Sequence, residues 1–201
     1  QPESGGFLEA TPLTAFVTMS LAARSRRDHP VAQRGLAFLR ASVREDGSWP
    51  IGTDLSIRVT TGAVTALTAA GEPVDERTRA WVRDRQTTRP HPYTGAAPGG
   101  WAWTHRSGGV PDADDTAGAL VALAGLGERR GLEAGVRWLL DLQNADGGWP
   151  ACCRGRGRLP FDRSAPDLTA HALRALRAAG SDPEVKLAMA RGLAYLASAQ
   201  R

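Results

Sequence analysis

The chain has little of what several functional classes require. Its 201 residues include two cysteines, Cys152 and Cys153, and these are adjacent. Neighbouring cysteines do not readily bridge each other, and they need further ligands to make a zinc site, so neither a disulfide scaffold nor a metal centre finds support. Reduced thiols in a cytoplasmic setting are the expectation. Aromatic residues make up only 6%, and six of them are Trp. Alternating runs of Val, Ile and Thr, the mark of strands, are missing, which leaves an all-α class. No stretch approaches the roughly 20 apolar residues of a membrane span, and no signal peptide stands at the start, which is Gln1 rather than Met. Charge of one sign is also missing as a block: 25 Lys and Arg are scattered among 21 Asp and Glu, with a basic cluster only at 24–27. That argues against nucleic acid as a partner. A basic surface beside an apolar one equally suits an anionic membrane face, so peripheral attachment to the inner membrane stays open.

What is present is repetition. The length allows one sizeable core. One phrase returns along the chain: Phe38-Leu39 leads to Asp46-Gly47-Ser48-Trp49-Pro50, and Trp138-Leu139-Leu140 leads through Gln143 to Asp146-Gly147-Gly148-Trp149-Pro150. A degenerate copy runs from Trp81 through Gln86 to Gly99-Gly100-Trp101, Gly5-Gly6-Phe7 resembles the tail of another, and Tyr195-Leu196 to Gln200 the front of one more. Behind each turn a second helix is expected, with Thr14, Thr61, Thr116 and Thr169 at matching places. The segments at about 11–24, 57–70, 112–126 and 166–179 are rich in Ala, Leu and Val, while those at about 30–43, 75–86, 130–143 and 184–200 carry charge on one side. The first set reads as inner and the second as outer. Alternating inner and outer helices give an α/α toroid, or α/α barrel, of which about four hairpins are present. Asp-Gly is a strong turn dipeptide, and the Trp after it can pack on helix ends with its N–H on a carbonyl, so the Gln and Trp residues read as structural.

The most informative stretch is 99–123. A loop with four glycines and two tryptophans runs into Asp112-Ala113-Asp114-Asp115 at the start of an apolar helix. Asp is a favoured N-cap, so Asp112 can cap this helix with Asp115 completing a variant of the capping box. Three acids in four positions exceed what a cap needs. Partly buried carboxylates disfavour one another's ionisation, so one of them is held protonated, and a protonated Asp is a proton donor.

On these residues the chain resembles the squalene-hopene cyclase family of class II terpene cyclases. The repeats are similar to that family's Gln/Trp motifs, Asp112-Ala113-Asp114-Asp115-Thr116-Ala117 to its acid motif, and Pro166-Asp167-Leu168-Thr169-Ala170-His171 to the segment whose His partners the acid. The resemblance implies proton-initiated cyclisation of a polyprenoid such as squalene, without a cofactor or metal. Asp114 would be the donor, Asp112 and Asp115 its flanking carboxylates, and His171 its hydrogen-bond partner. Trp101 and Trp103 would form part of a cation-stabilising wall, and Asp167 would stand with them on the substrate side. An alkene is a very weak base, so the acid must be dry and its conjugate base stabilised.

Departures from the family pattern fall at pocket-forming places. The stretch 104–110 is glycine-rich with His105 and Arg106, Arg58-Val59-Thr60 stands where such cyclases carry a Trp-Asp pair, and 152–158 is rich in Arg and Gly. Acid chemistry is therefore better supported than squalene as substrate. The rivals are a protein prenyltransferase-like toroid, for which Cys152, Cys153 and Asp162 lack a further ligand at suitable spacing, and a non-catalytic helical-repeat scaffold. Residues 1–201 read as the central part of a catalytic α/α-barrel domain. An open arc would expose apolar faces near 11–24 and 184–200, so self-association, for example as a homodimer, is expected.

Overall fold

A computed structural model describes residues 1–92, 94–152 and 162–200. Its regular structure among these residues is helical, with eight α-helices and one 3-10 turn. The sequence-based segments and the observed helices agree to within one to three residues at nearly every end. The chain divides into two compact units, Gln1–Ser56 with Thr104–Gly109, and Ile57–Trp103 with Val110–Arg201.

In the first unit, a 3-10 turn (Phe7–Glu9) leads into α1 (Thr11–Ala23), which pairs with α2 (Pro30–Ala41). The face that α1 buries is a threonine stripe, Thr11, Thr14 and Thr18. Thr14 shows why: its hydroxyl accepts from the Phe7 amide at 2.9 Å and donates to the Ala10 carbonyl at 2.8 Å, which ties the turn to the helix. The apolar residues Leu13, Phe16 and Met19 of α1 are exposed. An apolar face left exposed near 11–24 was expected, and these residues are exposed; what the composition did not show is that the buried face is lined by Thr. Residues 104–109, expected near a pocket, are held within this unit by Asp54. Its carboxylate accepts from Thr104 Oγ1 at 2.9 Å and pairs with Arg106 Nε at 3.3 Å. Burial works to raise the Asp54 pKa, but hydrogen bonds from Ser56 and Thr104 and the nearby His105 outweigh it and bring it to about 2.

The second unit holds α3 (Ser56–Ala69, apart from its first residue), α4 (Glu76–Arg83), α5 (Ala113–Gly125), α6 (Leu132–Leu142), α7 (Pro166–Ala179) and α8 (Pro183–Ala199). Its core is built from α5 and α7, packed side by side, with Leu120, Leu123, Leu139 and Leu176 fully buried. Each such side chain contributes about 1.5–3 kcal/mol relative to an exposed one. On α5, Gly118 and Gly125 lie one heptad apart and face Thr61 and Thr68 of α3, also a heptad apart; a Cβ at either glycine would stand 3.3 or 3.2 Å from the threonine. Small residues at that period let α3 and α5 approach closely.

The Gly/Trp turns repeat as bonded modules. Trp101 Nε1 donates to the Val82 carbonyl at 2.8 Å, Trp149 Nε1 to that of Leu139 at 2.7 Å, and in the first unit Trp49 Nε1 to that of Leu39 at 2.8 Å. The Trp101 amide donates to Thr116 Oγ1 and the Trp149 amide to Thr169 Oγ1, at 2.9 and 3.0 Å. Gln86 and Gln143 each donate twice from Nε2, to a carbonyl of the turn and to one of a neighbouring outer helix or its cap. Gly147 is obligatory in this module: its φ is +92°, and a Cβ would stand 2.5 Å from the Arg191 carbonyl oxygen.

Candidate active site

The site begins with the Trp101 turn. Thr116, bonded to the Trp101 amide, fixes the axial level of α5, and the Asp112 amide closes the turn by donating to the Trp101 carbonyl at 3.1 Å. Asp112 has extended backbone angles and its carboxylate accepts from the Asp115 amide at 2.8 Å, so it is the N-cap of α5. The reading of Asp112 as a cap is therefore the one the geometry has. From that start, successive helical residues turn by about 100°, which separates the two remaining acids. Asp115 is buried, whereas Asp114 keeps 21% of its side chain exposed and opens onto a cleft of about 470 Å³.

A guanidinium and an imidazole converge on the acids. Arg58, near the start of α3, places Nη1 at 2.6 Å from Asp114 Oδ2 and Nη2 at 3.2 Å from Asp115 Oδ2. His171, on the first half of α7, meets Asp114 Oδ1 through Nδ1. The equivalence of Thr116 and Thr169 predicted that His171 and Asp114 would share a level, and the structure brings them together. Both oxygens of Asp114 are thus occupied, one by each partner.

Electrostatics divide the three acids. Burial, followed by the charge of Asp115, pushes Asp112 well above the usual carboxylate range. Asp115 is raised by burial too, against the pull of its bonds to Asp112 and Arg58. At Asp114 burial also acts upward, but the hydrogen bonds from His171 and Arg58 overcome it and hold the group below its ordinary value. Burial therefore disfavours ionisation most at the cap, Asp112, whereas its two partners favour the ionised form of Asp114. Crowding alone would raise Asp114 as well; His171 first and then Arg58 reverse the direction there, and the Arg58 pKa is itself raised, against desolvation, chiefly by the Asp115 charge.

The other sequence-derived positions lie elsewhere. Trp101 is fully buried, its ring seated where a Cβ on Gly135 would come within 2.8 Å, so it is core and not wall. The side chain of Trp103 is absent from the cleft lining; its carbonyl accepts from the Ile57 and Arg58 amides at 3.1 and 3.3 Å and so places the start of α3. Asp167 is exposed in the first turn of α7, one turn before His171 and outside the cleft. Among the described residues, the cleft is walled by small side chains such as Thr61, Thr65, Ala66, Gly118 and Val121, with no Trp, Tyr or Phe. Arg174, one turn beyond His171, also lines it. Arg58 and Arg174 were not singled out from sequence as site residues. A usable signal existed for Arg58: it precedes Thr61 by three residues as Asp114 precedes Thr116 by two, which puts it at the level of the acids. Cys152 lies outside this cleft, and Cys153 lies outside the described residues. Among the described residues no three His, Cys, Asp or Glu side chains are grouped to hold a metal ion.

An all-α repeat with inner and outer helices joined by Gly/Trp turns, and a three-acid cluster at the mouth of an inner helix, define the class. The family model for the squalene-hopene cyclase C-terminal domain matches residues 56–151 and 118–201, and the chain belongs to that family. It is 30% identical to the squalene-hopene cyclase of Alicyclobacillus acidocaldarius over 230 aligned residues, an alignment covering all of this chain and 36% of that enzyme. It is 34% identical over 86 residues to the sporulenol synthase of Bacillus subtilis, covering 43% of this chain and 13% of the other. The chain therefore spans about a third of the first relative's length. Among solved structures, the type II terpene cyclase MstE from Scytonema is similar with a TM-score of 0.49 and 21% identity, covering all of this chain and 58% of that one.

Proposed function

We propose that this chain carries the proton-donating site of a class II terpene cyclase that closes rings in a polyprenoid. The observation that carries the reading is the placement of Asp114: of the two acids lining the cleft it is the more exposed, 21% against 2% for Asp115, and it is the one that meets His171. In the proposed reaction the Asp114 O–H bond breaks and the alkene π pair forms a new C–H bond. Each ring closure uses the π pair of the next alkene to form a C–C bond and moves the positive charge along the chain, until loss of a proton to water ends it. The electron pair stays on Asp114 as a carboxylate, and His171 and Arg58 stabilise it. No redox step is involved, so no cofactor is called for. The small-residue walls favour reading the cleft as room for an isoprenoid tail end.

Attachment to a membrane surface and pairing of copies belong to the same proposal; their support is the apolar side chains left exposed, Phe16 and Met19 on α1 and Leu187 and Leu193 on α8. No helix among the described residues is long and apolar enough to cross a membrane.

The test is to incubate the full-length protein with squalene and with shorter polyprenoids and to analyse the products. Cyclised product from the wild type and its loss in Asp114→Asn, with circular dichroism and melting near wild type, is the expected result. A fully active Asn variant would sink the assignment, and no product from any polyprenoid would favour a scaffold.

A further inference from the structure

We infer that Arg58 is a positioning residue that decides where the transferable proton of Asp114 can sit and how strong an acid it is; this rests on the reading of Asp114 as the donor. The guanidinium straddles two carboxylates, Nη1 on Asp114 Oδ2 at 2.6 Å and Nη2 on Asp115 Oδ2 at 3.2 Å. A guanidinium only donates hydrogen bonds, so a proton on Asp114 Oδ2 would point donor at donor. Protonation is thereby confined to Oδ1, the oxygen that meets His171, whose ring nitrogen can give or take that proton. After transfer to the alkene, the carboxylate left behind already holds its cationic partner on Oδ2.

The placement of Arg58 argues that this contact is its purpose. It lies in the first turn of α3, where the helix dipole disfavours a cation. The Trp103 carbonyl nevertheless fixes its amide there, and the side chain turns to the acids of α5. Every charged or titratable group lining the cleft belongs to this cluster or flanks it: Arg58 from α3, Asp114 and Asp115 from α5, and His171 and Arg174 from α7. Asp112 backs the cluster as the cap of α5.

The experiment uses full-length protein carrying carbon-13 at Asp carboxyls, with the Asp114 signal assigned by its absence in Asp114→Asn. Three proteins are titrated: wild type, Arg58→Lys and Arg58→Met. An Arg next to an Asp lowers its midpoint by about 1–3 units, so Arg58→Met should raise the Asp114 midpoint by about one unit or more, and Arg58→Lys by less. With a cyclised polyprenoid as readout, the pH limb of the rate should move with the midpoint, and the acid plateau should fall by up to about tenfold for each unit by which the acid weakens. An unchanged midpoint in Arg58→Met overturns the inference even if activity falls. Should that variant unfold, slowed rotation of the Arg58 Nη protons in the wild type, retained while Asp114 is protonated on Oδ1, carries the same test; free rotation throughout would refute it. If no polyprenoid is cyclised, the proposed reaction fails while the titration still decides the role of Arg58.

Discussion

Asp112 separates a structural acid from a chemical one, and replacing it by Asn and by Ala measures the division. Its carboxylate accepts from the buried Asp115 amide at 2.8 Å, and it is itself only 9% exposed. Asn keeps an acceptor at that place and removes the ionisable group; Ala removes both. The difference between the two variants therefore isolates the cap. Losing an N-cap costs about 1 kcal/mol, and leaving a buried amide unpaired costs about 1–3 kcal/mol. These overlap, so about 1–2 kcal/mol is expected between Asn and Ala. For a chain of this size each kcal/mol moves the melting temperature by about 2–4 °C, so the Ala variant should melt about 2–8 °C below the Asn variant. The comparison of Asn with wild type has the opposite sign and depends on pH. Burial, then the Asp115 charge, raises the folded pKa of Asp112. Stability from this group is fully present below the unfolded value, near 3.9, and is lost as pH rises through the folded value. Asn has no such loss, so it should gain on the wild type as pH increases from about 4 towards 7. Melting curves across that range, with hydrogen exchange at the Asp115 amide, provide the assay. Asn and Ala variants that melt together would show that Asp112 is not the cap, and an Asn variant that loses ground with rising pH would show that its carboxyl is not held protonated.

Asp114 should titrate in the opposite direction: its folded pKa is lowered against burial by His171 and Arg58, so its contribution is present above the ordinary carboxylate value and lost as pH falls through the folded one. His171→Ala should flatten the stability curve below about pH 4, and an unchanged acid limb in denaturant titrations would contradict the pairing. Gly192→Ala should destabilise by about 1–3 kcal/mol, because the new Cβ would stand 2.7 Å from the Trp149 ring and 3.0 Å from Leu173; chemical denaturation at constant m-value measures it. Trp101→Phe should lower stability by about 0.5–1.5 kcal/mol through loss of the indole bond to the Val82 carbonyl, with the cleft's affinity for apolar dye unchanged because the ring does not line it.

The helices and their pairing were legible without coordinates because each rests on local chemistry repeated along the chain. The Gln that closes the turn, the Gly/Trp turn and the Thr that receives the Trp amide recur in the same order, with inserts of different length between them, so reading one repeat located the others. The same register placed His171 beside Asp114, since two equivalent threonines set the level of neighbouring helices. What the spacing left open was rotation and partners. Asp112, Asp114 and Asp115 are interchangeable as letters; their roles follow from the face that α5 turns to α7 and the outer helices, which is set by the packing of Leu120 and Leu123. Trp101 reads as readily as a cleft wall as a core residue, and only the seat opposite Gly135 sends its ring inward. Arg58 stands 56 residues before Asp114, and nothing near it in sequence asks for a cation. The bridge to two carboxylates exists because the facing Gly118 and Thr61 let α3 approach α5 closely enough for a guanidinium to span them, a distance fixed by tertiary packing alone.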